Sequence, residues 1–88
     1  MAVSSSRDLH PENGGRFVLT RETQEPAVYA VAIYLPEGRR LDTTLRWEDG
    51  QALLEPAVPD AWAHAEALKL ARVLRRNLPP SLTRWRGR

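Results

Sequence analysis

Hydrophobic and polar residues alternate along the first two thirds of the chain in the manner of β-strands. Phe17 and Leu19 alternate with their neighbours, and residues 28–35 are rich in β-branched and aromatic side chains. Residues 40–48 place apolar side chains and Thr43 on one face and mostly charged ones on the other. A period of two is typical of half-buried strands. We therefore predict three strands and a short fourth over residues 51–55.

Two turns set the register of these predicted strands. Asp49 and Gly50 are the preferred pair for a type I′ hairpin, and the Pro-Glu-Gly of residues 36–38 suits a three-residue loop. Both registers place the apolar side chains of neighbouring strands opposite one another, so these side chains are predicted to form the core on one face of the sheet. The expected pairs are Trp47 with Ala52, Leu45 with Leu54, Leu35 with Arg39, Ile33 with Leu41, Val31 with Thr43 and Tyr29 with Leu45.

A helix is predicted over residues 61–77. Asp60 is a good N-cap before an alanine-rich run, and Pro79 and Pro80 stop the helix. At 100° per residue, one stripe of the helix is apolar and faces the sheet. The stripe contains Ala63, Ala67, Leu70, Leu74 and Leu78.

The combined pattern predicts an α+β fold, a three- to four-stranded antiparallel β-meander packed on one face by a single C-terminal α-helix. We expect a flexible N-terminal leader over residues 1–15, because it holds few sizeable apolar side chains. The β-meander and helix occupy residues 16–78. A basic C-terminal tail follows over residues 79–88.

The chemistry-bearing residues do not form a recognisable catalytic or metal pattern. Cysteine is absent and the two histidines, His10 and His64, are far apart in sequence. We expect no enzyme activity and no cofactor or metal. The longest apolar run, residues 27–35, has nine residues, against the ~20 that span a bilayer. The sequence therefore predicts a cytoplasmic protein without a membrane partner.

Positive charge is concentrated in the last third of the chain. Residues 1–60 hold six Lys or Arg against ten Asp or Glu, whereas residues 61–88 hold seven against one. Such a segment attracts polyanions, although a solvated helix face and a basic tail are the simpler explanation. The candidate polyanion-binding residues are Lys69, Arg72, Arg75, Arg76, Arg84, Arg86 and Arg88.

The sheet face opposite the helix is unusually apolar for a surface that faces water. One helix covers one face, and the exposed face of an antiparallel sheet normally carries strongly polar residues. The candidate interface residues on this face and in the tail are Val18, Ala30, Ala32, Tyr34, Leu53, Leu82 and Trp85. We expect a binding module whose partner is another protein or a second copy of the chain. Nucleic-acid binding through the basic helix face and the tail is the alternative.

Overall fold

The computed structural model describes residues 10–88, which form an antiparallel sheet of five strands and one α-helix. His10 Nδ1 lies 2.7 Å from the carbonyl oxygen of Leu35, whereas residues 1–9 of the predicted leader lie outside the described part. In chain order the elements are β1 (Gly15–Gln24), β2 (Ala27–Tyr34), a 3-10 turn (Pro36–Gly38), β3 (Arg40–Glu48), β4 (Gln51–Glu55), α1 (Ala61–Leu74) and β5 (Ser81–Arg86).

The strand order across the sheet is β4-β3-β2-β1-β5. The α+β class and the antiparallel meander β1 to β4 are confirmed. The predicted count of three to four strands is wrong by one strand, because Ser81–Arg86 within the basic tail pairs with β1. The helix is therefore not the last element but connects one edge of the sheet to the other.

Both predicted hairpin registers are confirmed. Across β3 and β4, Trp47 pairs with Ala52 and Leu45 pairs with Leu54. Asp49 and Gly50 both have positive φ, at 52° and 81°, as a type I′ turn requires. The pairs predicted for β2 and β3 are also those observed, from Ile33 with Leu41 to Tyr29 with Leu45, and the Leu35 amide donates to the Arg39 carbonyl at 2.9 Å.

The helix begins where Asp60 caps it and ends three residues earlier than predicted. The Asp60 carboxylate accepts a hydrogen bond from the Ala63 amide at 2.9 Å, which satisfies one free amide of the first turn. Leu74 is the last helical residue. Leu78 then adopts φ 47°, and this left-handed residue turns the chain toward β5.

The core lies between α1 and one face of the sheet. Phe17, Tyr29 and Leu45 have no exposed surface, and neither have Leu70 and Leu74 of the predicted helix stripe. The alanines Ala63, Ala67 and Ala71 are equally buried, so the helix approaches the sheet closely. Leu41 and Trp47 are only partly buried at the margin of this cluster.

β5 is attached to the sheet through its backbone. It pairs antiparallel with β1 from Gly15 opposite Arg86 to Thr20 opposite Ser81. Leu82, opposite Leu19, packs against the core on the helix side, and Trp85, opposite Arg16, lies on the other face. The segment thus extends the sheet at its edge.

Candidate functional site

One face of the sheet, here called the open face, has no helix over it within residues 10–88. Its centre is formed by small side chains on β1 and β2, with larger ones toward the margins. Six of the seven candidate interface residues share this face, whereas Leu82 lies on the covered side. The six are Val18, Ala30, Ala32, Tyr34, Leu53 and Trp85.

Aromatic rings and guanidinium groups alternate in a row across four strands of the open face. Trp85, Arg16, Tyr34 and Arg40 are successive neighbours in the sheet register. The Arg16 guanidinium lies 5.4 Å from the ring centre of Tyr34 and 5.6 Å from that of Trp85. Arg40 lies 5.2 Å from the Tyr34 ring. These cation–π contacts orient Trp85, although 57% of this residue remains exposed.

Sequence reasoning did not select Arg16 as a site residue. The register between β1 and β2 could have identified it, because aligning these two strands pairs Arg16 with Tyr34. The second neighbour, Trp85, comes from a strand about seventy residues later in the chain. Only the folded sheet brings the three side chains together.

The charges of the open face are balanced by ion pairs within it. Arg40 binds Asp42 at 2.9 Å, and Arg46 binds both Glu48 at 3.0 Å and Glu55 at 2.8 Å. The hydrogen bond and the negative charge of Asp42 raise the pKa of Arg40, and hydrogen bonds to the two glutamates raise the pKa of Arg46. With Arg16, the face carries three arginines and three carboxylates, so its formal net charge is zero.

The candidate polyanion-binding residues lie on the other side of the molecule and fall into two groups. Three of them lie within salt-bridge distance of carboxylates of the helix region. Lys69 lies 3.0 Å and Arg86 3.8 Å from the Glu66 carboxylate, and Arg88 binds Asp60 at 3.2 Å. Within residues 10–88, no carboxylate lies within salt-bridge distance of the other four. These are Arg72, Arg75, Arg76 and Arg84.

A groove runs between α1 and the β3–β4 hairpin, here called the helix–hairpin groove. Its volume is about 380 Å³. Trp47 and Ala52 form the wall on the sheet side, and Leu68 and Arg72 the wall on the helix side. Arg75 crosses the groove, with its guanidinium 5.6 Å from the Trp47 ring centre and a hydrogen bond of 3.3 Å to the Gly50 carbonyl. Gly50 and Gln51 complete the lining.

Both described histidines have structural partners, since His10 lies against the Leu35 carbonyl and the Tyr34 ring. The Nδ1 atom of His64 accepts a hydrogen bond from the Val58 amide at 3.2 Å, which ties the loop after β4 to the first helical turn. Residues 10–88 contain no group of three or more metal-ligating side chains. Over the same range, no helix combines the length and apolar character needed to cross a bilayer.

Comparison with known proteins gives no relative for this chain. No family model matches the sequence, and neither curated proteins nor solved structures provide a significant match. The functional argument therefore rests on the two surfaces themselves, the open face and the helix–hairpin groove.

Proposed function

We propose that this chain is a non-enzymatic binding module that associates with a second copy of itself through the open face. The observation that carries the proposal is the gathering of six candidate interface residues on one sheet face that is neutral in charge and that, within residues 10–88, no helix covers and only the His10 ring contacts at its Tyr34 margin. Contiguous apolar surface on an uncovered face is characteristic of interaction sites. The occupant we favour is a second copy, for reasons of charge and shape.

The charge pattern favours a protein surface over a polyanion. A phosphate backbone would have to compete with Asp42 for Arg40 and with two glutamates for Arg46. In a two-fold contact the same patch meets itself, and equal numbers of the two charges allow such contact without net repulsion. The ion pairs are exposed, so they rearrange at little cost when a second face approaches.

The shape of the face suits sheet-on-sheet packing. Ala30 and Ala32 occupy the middle of the central strand β2, where small side chains permit two sheets to lie about 10 Å apart. Five strands spaced about 4.8 Å apart give a face of roughly 600 Å² in each copy. Two such faces provide roughly 1,200 Å², the lower limit of standard interfaces, so we expect a reversible dimer.

The margins of the face provide anchors for this contact. Trp85 on β5 is 57% exposed and Leu53 on β4 is 37% exposed. Aromatic side chains that are held in place before binding contribute strongly to interfaces, because little side-chain entropy is lost. Arg16 holds Trp85 in this way.

The test is sedimentation equilibrium of the full chain from about 1 μM to 1 mM, a range that covers reversible association. We expect the apparent mass to rise from 10.0 kDa toward that of a dimer. Ala32→Glu places a carboxylate at the centre of the open face and should keep the protein monomeric. Ala65→Glu makes the same change on the exposed side of α1 and should leave the association unchanged.

Three results would overturn the proposal. The first is a monomer at every concentration, and the second is a dimer that Ala32→Glu and Ala65→Glu affect equally. A chain that dimerises only after residues 1–9 are removed would identify that segment as the occupant, and would also overturn it. Circular dichroism of both variants confirms that each remains folded.

A further inference from the structure

The helix–hairpin groove has the chemistry of a ligand site and is separate from the open face. Leu68, Arg72 and Arg75 follow at spacings of four and three residues, so they lie along one flank of α1. This flank faces the hairpin residues Trp47 and Ala52, and the groove between them has a volume of about 380 Å³. The volume lies within the range of pockets that hold small organic groups.

Both arginines of the groove keep N–H donors for an anionic ligand, although one donor of Arg75 already binds the Gly50 carbonyl. The described residues contain no carboxylate within salt-bridge distance of Arg72 or Arg75. Glu48, the nearest acidic residue of β3, lies on the opposite face and binds Arg46. The groove therefore combines two uncompensated guanidinium groups with an apolar wall.

Trp47 and Arg75 form a stacked platform at the edge of this groove. The Arg75 guanidinium lies over the Trp47 ring at 5.6 Å, while Tyr29 contacts the same ring edge-to-face, with the ring centres 6.1 Å apart. The platform is held from the core side by Tyr29 and from the hairpin side by the bond from Arg75 to Gly50. Nucleobases stack on aromatic rings and on guanidinium planes.

We propose that the helix–hairpin groove binds single-stranded nucleic acid. A base lies against Trp47, Leu68 and Arg75, and the flanking phosphates bind Arg72 and the free edge of Arg75. A single strand is required because its bases can turn outward, whereas those of a duplex are already stacked inside it. The forked guanidinium groups match phosphate oxygens better than single amines do.

Arg72 in the last helical turn, and Arg75 and Arg76 directly after the helix, also have a purely structural explanation. Cations near the C-terminus of a helix stabilise its dipole, and Arg72 and Arg75 occupy that position along with Arg76. This explanation assigns the same role to all three residues. Nucleic-acid binding in the groove requires Arg72 and Arg75 specifically, so matched pairs of substitutions separate the two explanations.

The probe is a fluorescein-labelled deoxythymidine decamer, titrated with the full chain and followed by fluorescence anisotropy between about 20 and 200 mM salt. The double variant Arg72→Gln, Arg75→Gln should bind at least about tenfold more weakly at low salt. Its salt slope should be smaller by about 1.4, because each phosphate contact in a single strand contributes about 0.7. The control Lys69→Gln, Arg76→Gln loses the same charge outside the groove and should change affinity by less than about threefold.

A second variant tests the platform without changing charge. Trp47→Leu keeps an apolar side chain but removes the ring, and it should weaken decamer binding by at least about fivefold. Its affinity for inorganic polyphosphate, which has no bases, should not change. Equal losses in both double variants would overturn the proposal, as would absence of binding at low salt. If polyphosphate displaces the decamer at a lower concentration than unlabelled decamer does, the groove binds anions without recognising bases. If polyglutamate does so, the groove binds acidic protein. Either result would overturn the proposal.

This outcome is independent of self-association. The groove lies on the helix side of the sheet, so the monomeric Ala32→Glu variant should bind the decamer as the parent chain does. If Ala32→Glu abolished binding of the decamer, the groove of a single chain would not be sufficient for binding, and the proposal would be wrong.

Discussion

The hydroxyl group of Tyr29 donates a hydrogen bond of 2.6 Å to the backbone carbonyl of Pro79. This bond joins the central strand of the sheet to the turn that leads from α1 into β5. Arg21 of β1 holds the same turn, with its side chain donating to the Leu78 carbonyl at 2.6 Å and its amide to the Pro80 carbonyl at 2.8 Å. The position of β5 therefore depends on side chains of β1 and β2. Burial raises the pKa of Tyr29, opposed by the charge of Arg21.

Tyr29→Phe should lower the free energy of unfolding by about 1 kcal/mol, because it removes this hydrogen bond and leaves the ring in place. Urea denaturation followed by tryptophan fluorescence measures the change. Tyr34→Phe is the matched control, since the described residues include no hydrogen bond to the Tyr34 hydroxyl. A loss as large in the control would show that the bond to Pro79 does not stabilise the turn.

The core should be sensitive at Leu45 of β3 and Leu70 of α1, which belong to the same buried cluster and have no exposed surface. Either residue changed to alanine should cost about 2–5 kcal/mol through the cavity that remains. Leu68→Ala should cost much less, because Leu68 is only partly buried in the wall of the groove. Thermal and urea denaturation distinguish these cases, and equal losses at Leu68 and Leu70 would contradict the observed rotation of the helix.

Gly14 should not tolerate a side chain. Its φ is 80°, and a Cβ atom there would lie 1.9 Å from the Arg86 carbonyl oxygen. The left-handed conformation alone costs about 1–3 kcal/mol for other residues, and the clash with β5 adds to it. We expect Gly14→Ala to lower stability by at least this amount. Gly87→Ala, where a Cβ meets nothing within 4 Å, should change stability little, and similar losses at both sites would disprove the close approach.

Asp60 should make stability dependent on pH in acid. The hydrogen bond from the Ala63 amide lowers the pKa of Asp60, and the Arg88 charge lowers it further, against partial desolvation. A depressed pKa means that the stabilisation is complete above the ordinary value of 3.8 and is lost as the pH falls through the lower folded value.

Asp60→Asn keeps an N-cap but not the charge, so it isolates this contribution. The stability difference between the parent chain and the variant should be constant from neutral pH to about pH 4 and should vanish below the folded pKa. Denaturation at a series of pH values provides the measurement. A difference that persists unchanged at the acid limit would show that the charge of Asp60 is not responsible. Asp60→Ala, which removes the cap, should cost about 1 kcal/mol at neutral pH.

The hairpins could be predicted because their information is local. Asp49 and Gly50 specify a turn whose loop length fixes every pair along β3 and β4. The same holds for the turn of residues 36–38, where Glu37 as well as Gly38 adopts positive φ. The open face was predictable for the same reason, because register determines which side chains alternate onto each face.

The end of the helix and the fifth strand depend on contacts distant in sequence. Residues 75–77 have helical composition, yet the chain leaves the helix after Leu74 and its next turn is bound by Tyr29 and Arg21. Ser81–Arg86 carries one sizeable apolar residue on each face, Leu82 and Trp85, so its period of two is weak. Its partner is β1, more than sixty residues earlier, and no local pattern identifies that partner.

The pairing of β1 with β5 has a topological consequence. Gly15 lies opposite Arg86, so the start of the first strand and the end of the last strand of the sheet are neighbours, separated by about 5 Å. A unit with this geometry can replace a tight loop of a host protein without forcing the host's flanking segments apart. The same proximity permits a circular permutant in which a short peptide joins the two strands and new ends are opened at the exposed Asp49–Gly50 turn.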